Sequence, residues 1–258
     1  MRVFERQGSD FLTACAVFEA FEKANGAFNW CRENYLNRNV VREIADLRDY
    51  FRKSLRDGGW TGGRGGRGGG GGGGGGENAN GGCDAIVHAA VAAGLYGNIA
   101  RWSRTEGVFF KKDKVALHGS SVLSEKDGSA WREGGTGERM VVFHELFRGA
   151  KATWCNMGAV VSPLVLLLFA AEGDAKVEYG QGTLKVEGWG GASVKCGARL
   201  AVSLDVVRGE LKRRVDGFME RKGGGEGGGD GEGGGEDANK FGEEDDVMKL
   251  VLNLLRYN

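Results

Sequence analysis

Phosphoryl-transfer chemistry needs a loop of backbone N–H groups and a lysine to neutralise a triphosphate. The sequence has no Gly-Lys dipeptide, so the G-x-x-x-x-G-K-S/T pattern is absent, and no DExH-type acidic box stands ready to hold magnesium. Gly119-Ser120-Ser121 is not a G-x-S-x-G elbow and reads as a turn in which serine satisfies backbone groups. His88, His118 and His144 have no partner at HExxH spacing, so they do not make a metal site. Cys15, Cys31, Cys83, Cys155 and Cys196 are scattered, odd in number and without a CxxC pair, which argues against both zinc and a disulfide framework. What remains is a surface for binding. Lys111, Lys112 and Lys114 crowd one short turn around Asp113, and Arg148 and Lys151 flank a second turn that leads to Thr153.

The elements that must position these residues can be read from periodicity. Ser9 caps a helix with Phe11, Cys15, Phe18 and Phe21 at steps of three to four, and Asn25-Gly26 ends it. A short second element spans Phe28–Leu36. Asn39 is expected to cap a third helix with Val40, Ile44, Leu47, Phe51 and Leu55 on one face, and with Asp49 and Lys53 spaced for an ion pair on the other. Asp84 is expected to cap a helix ended by Gly94. Val108–Phe110 and Val115–Leu117 flank the lysine turn as a hairpin. Met140–Phe147 is a strand with Val141 and Phe143 on one side, and Ala152–Met157 is another. Ser162 and Pro163, the only proline, open a helix so apolar through Ala171 that it must be buried nearly all round; it is too short to span a bilayer. Lys176–Tyr179 and Thr183–Glu187 make a further hairpin. Ala198–Lys222 is a long amphipathic helix, and Asp245–Tyr257 a terminal one.

Composition sets the boundaries. Residues 58–82 hold 17 glycines and residues 223–237 another 10, more than half of the 49 in a chain of 258. Such tracts have no apolar side chains to offset the entropy of ordering and are expected to be disordered linkers. The zero net charge hides an asymmetry: nine acids and one base lie between Glu226 and Asp246, leaving a basic surplus of eight elsewhere. A basic body on an acidic tether suits a polyanion binder. The scattered cysteines, and the lack of a signal core or an apolar span, point to an intracellular protein, nuclear or cytoplasmic, with no membrane partner.

Five stretches also resemble one family. VVSPLVLLLFAA is similar to the VSPLALLLFGG signature in the C-terminal OB-like domain of DEAH/RHA-type RNA helicases. SDFLTACAVFEAF, followed by NWCRENYLNRNVVREIADLRDYF, resembles the end of the helicase-associated helical domain; Trp30, Cys31, Glu33, Asn34, Leu36, Ile44, Arg48 and Phe51 match, and Phe11 replaces a histidine. GLYGNIARWSR resembles GLYPNVARV, with Gly97 for proline. ALHGSSV resembles HIHPSSV, with Gly119 for proline. The helix from Ala198 resembles the one that follows the family barrel.

The resemblance implies an α+β chain: a partial helical domain (1–57), a Gly/Arg-rich linker (58–82), an OB-like barrel with flanking helices (83–222), an acidic Gly-rich linker (223–244) and a terminal helix (245–258). The strands and the Pro163 segment are expected to close that barrel. The helices of 1–57 are too few for a closed core, so the chain is expected to begin inside a larger domain. It reads as a C-terminal fragment, or a motor-less relative, of an ATP-dependent RNA helicase. No cofactor is expected in this chain, because ATP and magnesium belong to motor domains it does not contain. RNA is the expected partner, and a helicase-activating protein on the OB-like domain is another. On such a barrel the expected contacts are Asn98 and Arg101 at the first strand, Lys111, Lys112 and Lys114, then His118, Ser120 and Ser121, and Arg148, Lys151 and Thr153. Arg64 and Arg67, in GGRGGRGG, resemble a short RGG box and add a sequence-tolerant single-strand contact. A stand-alone RNA-binding module is one alternative. The other is a protein-interaction scaffold with the acidic tail and last helix as bait.

Overall fold

The structure, a computed structural model, describes residues 2–6, 8–57, 81–124, 139–169, 177–180, 183–186, 193–195, 198–223 and 251. Both glycine tracts lie almost wholly outside these residues, as do Arg64, Arg67 and all of the terminal segment except Val251.

Three helices open the chain: α1 (Asp10–Lys23), α2 (Phe28–Glu33) and α3 (Arg38–Asp57). Ser9 caps α1 as its type predicts, its hydroxyl accepting from the Leu12 N–H at 3.2 Å. Asn25 and Gly26 end the helix at φ 51° and 63°, and a Cβ at Gly26 would meet the Phe21 ring at 3.1 Å. Phe21, Cys31 and Val41 form a small core with Phe18, Trp30 and Leu36. Three expectations need correction. α2 stops at Glu33. The cap of α3 is Asn37, not Asn39: its Oδ1 accepts from the Asn39 N–H at 3.0 Å and its carbonyl from the Val41 N–H at 3.1 Å. Asp49 pairs with neighbouring Arg48 at 3.0 Å rather than with Lys53, because Arg48 is already fixed by Glu22 at 2.7 Å and by the Phe18 ring beneath it. The apolar stripe of α3 is unburied: Val40, Ile44, Leu47, Phe51 and Leu55 are each between 46% and 59% exposed, and Val41 alone is buried.

The next helix, α4 (Asp84–Gly94), has Cys83 at its N-cap position without a side-chain cap; Asp84 is its first residue and suits the positive end of the helix dipole. Five strands then close a barrel: β1 (Ile99–Ser103), β2 (Gly107–Phe110), β3 (Asp113–Leu117), β4 (Arg139–Arg148) and β5 (Thr153–Val161), in the order β1-β2-β3-β5-β4. Only the β3–β5 pairing is parallel, and β1 against β4 seals the ring. Alternation sends Ala100, Trp102, Val108, Val115, Leu117, Val141, Phe143 and Cys155 inward, where Leu123 joins them. Gly158 lets β5 approach this core, since a Cβ there would meet Leu123 Cδ1 at 3.0 Å.

The Pro163 segment does not close the barrel. Val160 and Val161 end β5, and α5 (Pro163–Phe169) begins under the Ser162 hydroxyl, which accepts from the Leu164 N–H at 3.2 Å. Val165, Leu166, Leu167 and Leu168 are all buried, against the outward side chains Ile99, Met140, Val142 and Val161, the α4 alanines Ala89 and Ala92, and Leu204 of α6 (Ala198–Gly223). Val251 packs in this same second core. The barrel is complete without α5 because β1 can reach β4 directly, so the apolar helix backs the wall instead. The hairpin expected at 176–187 forms as β6 (Val177–Gly180) and β7 (Thr183–Val186), but it joins β8 (Ser193–Lys195) in a separate three-stranded sheet.

The first helix is bolted to the barrel. The carboxylate of Asp10 accepts from the Ser121 hydroxyl at 2.5 Å and from the N–H groups of Val122 and Gly158, each at 2.8 Å. Val160 N–H donates to the Gly8 carbonyl at 2.8 Å, and Ser9 bridges Ala159.

Candidate functional site

The two basic turns meet at one end of the barrel, and strand register puts them there. Ala116 and Leu117 of β3 lie beside Trp154 and Cys155 of β5 in parallel register. Two residues back along each strand are Lys114 and Ala152, so the β2–β3 tip and the turn from Gly149 to Ala152 project together. That turn is closed by a 2.8 Å bond from the Gly149 N–H to the Ala152 carbonyl. At the tip, Lys111 takes φ 56°, and its ammonium sits 5.2 Å from the Phe110 ring centroid. Lys111, Lys112, Lys114, Arg148 and Lys151 are all exposed there, with Asp113 the acid among them. Cations at this density attract a polyanion and gain by releasing its counterions.

The other expected residues are placed differently. Thr153 is half-buried, opposite exposed Arg148 on the last rung of β4 and β5. Asn98 enters β1 and is held structurally: its amide donates to the His144 carbonyl at 2.9 Å and its own carbonyl accepts from the Phe143 N–H at 3.0 Å. Arg101 faces outward beside the lysine tip, but its guanidinium is paired with Glu106 at 3.1 Å and lies over the Phe109 ring. His118 Nδ1 and Ser120 Oγ are 2.6 Å apart on the outer face. Ser121 is buried, its hydroxyl given to Asp10, so it faces the helical unit and not the basic end. Arg64 and Arg67 lie outside the described residues.

Residues that sequence reasoning missed stand between these groups. Phe147 and Trp154 are opposite each other on β4 and β5, with the His118 ring 5.3 Å from the first and 6.1 Å from the second. Strict alternation from Val141 and Phe143 sends Phe147 inward. Instead the face switches at Met157, which takes φ 49° beside His144: beyond it Leu146 and Cys155 face the core, and Phe147 and Trp154 face out. Asp10 was also missed, although an acid directly after a capping serine is a visible signal.

Burial pushes the Cys155 thiol up to about 12, which keeps it a neutral core group and no nucleophile. Among the described residues no three histidine, cysteine or acidic side chains converge as a metal site.

A five-stranded closed barrel in this order is an oligonucleotide/oligosaccharide-binding (OB) fold. Residues 87–172 match the family model described as Oligonucleotide/oligosaccharide-binding (OB)-fold, a domain found at the C-terminus of DEAH helicases. The chain resembles the C-terminal region of such helicases along most of its length. It is 21% identical to human ATP-dependent RNA helicase DHX29 over 83% of this chain and 15% of the relative. It is 24% identical to human ATP-dependent DNA/RNA helicase DHX36 over 79% of this chain and 20% of the relative. To human probable ATP-dependent RNA helicase DHX35 it is 24% identical over 65% of this chain and 21% of the relative. The chain thus spans about a fifth or less of the length of these relatives. No helix among the described residues is long and apolar enough to cross a membrane.

Proposed function

We propose that this chain is an RNA-gripping accessory region of an ATP-dependent DExH-box RNA helicase, with residues 1–57 as the end of the helicase-associated helical domain and 83–222 as the OB-like domain. One observation carries the reading: the parallel register of β3 and β5 gathers Lys111, Lys112, Lys114, Arg148 and Lys151 at one end of an OB barrel. Asn98 supports the barrel wall and Asp10 fastens the first helix, rather than touching RNA, and Arg64 and Arg67 extend the grip from the linker. ATP and magnesium are handled by motor domains outside these 258 residues. The protein works inside the cell, in nucleus or cytoplasm.

The test is a titration of the full chain with single-stranded RNA at several salt concentrations. Each phosphate contact on a single strand contributes about 0.7 to the slope of log affinity against log salt. Charge reversal at Lys111, Lys112 and Lys114 together flattens the slope by about 2 if all three engage phosphate. An unchanged slope removes the tip from the site, and wild-type protein that ignores RNA overturns the reading.

A second reading is favoured by the exposed apolar stripe of α3, from Val40 to Leu55. Solvent-facing side chains in a continuous row mark a protein contact, and on this reading the chain is a scaffold for a regulator or for the rest of a helicase. The OB-like domain takes a helicase-activating protein in the same scheme.

A further inference from the structure

We propose that Phe147 and Trp154, steadied by His118, form a base-stacking platform that makes the basic end of the barrel selective for single-stranded nucleic acid; this rests on the nucleic-acid reading above and names the chemistry of that site.

The platform is built by the face switch at Met157. A barrel strand whose alternation held would bury Phe147 beside Phe143; here Phe147 is 39% exposed and lies across from Trp154. The His118 ring stands at steep angles to both and fixes them in place, with Phe147 exposed and Trp154 half-buried. The turn after β4 pins Trp154 from the other side, since a Cβ at Gly149 would lie 3.0 Å from the indole Nε1. Two preorganised rings lose little freedom when a base lies on them.

Position and charge select the occupant. Trp154 is one residue from Thr153 and beside Ala116, so the platform abuts the turn bearing Arg148 and Lys151 and the strand bearing Lys114. A protein partner for an apolar pair beside these cations would have to be acidic as well as apolar. A single strand offers both halves: phosphates for the lysines and unpaired bases for the rings. In a duplex the bases are stacked on each other and hidden, so only the phosphate half is met.

The experiment uses the full chain with a short fluorescent oligoadenylate, and the same strand annealed to its complement. Phe147→Leu keeps apolar bulk and removes the ring; Phe147→Tyr keeps the ring. The proposal expects Phe147→Leu to weaken the single strand by about 5-fold or more, up to about 100-fold. Phe147→Tyr should stay near wild type, and duplex affinity should be unchanged in both. The salt slope should be that of wild type in all three proteins, because no phosphate contact is removed. Equal binding of the single strand by wild type and Phe147→Leu, with a steep salt slope, overturns the platform and leaves the phosphate reading intact. Equal loss on single strand and duplex also overturns it. A wild-type chain that binds neither strand overturns both.

Discussion

Asp10 accepts three hydrogen bonds with two oxygens, and all three donors belong to the barrel. Its neighbour Ser9 caps the helix, so two consecutive residues start α1 and fasten it. Removing the carboxylate leaves two backbone N–H groups and a hydroxyl without an acceptor in a part-buried seam. Asp10→Ala should therefore cost about 3 kcal/mol in chemical denaturation, at about 1–3 kcal/mol for each unsatisfied group. Asp10→Asn should not restore wild-type stability. Ser121 can turn its hydroxyl to accept from an amide, but Val122 and Gly158 donate to different oxygens of Asp10, and an NH2 in place of one of them accepts from neither. A fully stable Asp10→Asn variant would show that the seam is held by packing alone. This bond set also explains why Ser121, in the GSSV stretch, sits away from the basic end.

At the level of elements, α4 carries a pH dependence. Burial lowers the pKa of His88 from its ordinary 6.5, against a smaller opposing pull from Asp84, and Nε2 finds no hydrogen-bond partner among the described residues. Because the folded value is depressed, the unfolded chain binds the proton first. The stability this neutral imidazole supports is thus fully present above pH 6.5 and is lost as pH falls below it toward the folded value. Thermal unfolding should show that decline in wild type and a smaller one in His88→Gln. An identical decline in both would move the titrating group elsewhere. The other elements show where periodicity suffices. The helices of 9–56, the lysine hairpin and the Pro163 helix were legible because capping residues and apolar spacing act within one element. The role of α5 was not: seven apolar residues in a row announce burial but not against what, and it is β1 meeting β4 that excludes them from the barrel. The α3 stripe reads the same way. Its period is plain in the sequence, but whether the face is covered depends on neighbours that periodicity does not name.

Across the whole molecule, two cores stand back to back through one sheet. Ala100, Val141 and Phe143 fill the barrel, while Ile99, Met140 and Val142 of the same strands face α4, α5 and α6. The helices thus take one side of the wall, and the aromatic pair and the basic turns stand at the end of β4 and β5 beyond Met157. The lysine tip was visible in the sequence as a charge cluster. Its meeting with the β4–β5 turn was not, since parallel pairing joins segments about 40 residues apart in the chain. Phe147 and Trp154 were hidden for a different reason, the left-handed backbone at Met157.

We propose that RNA lies at this end of the barrel. Backbone amide shifts of the full chain, followed by NMR as a single-stranded RNA is added, test it most directly. The largest changes should fall on residues 111–114, 118 and 147–154, with α3 and α6 unmoved. Changes centred on the α3 stripe, or none at saturating RNA, would contradict it.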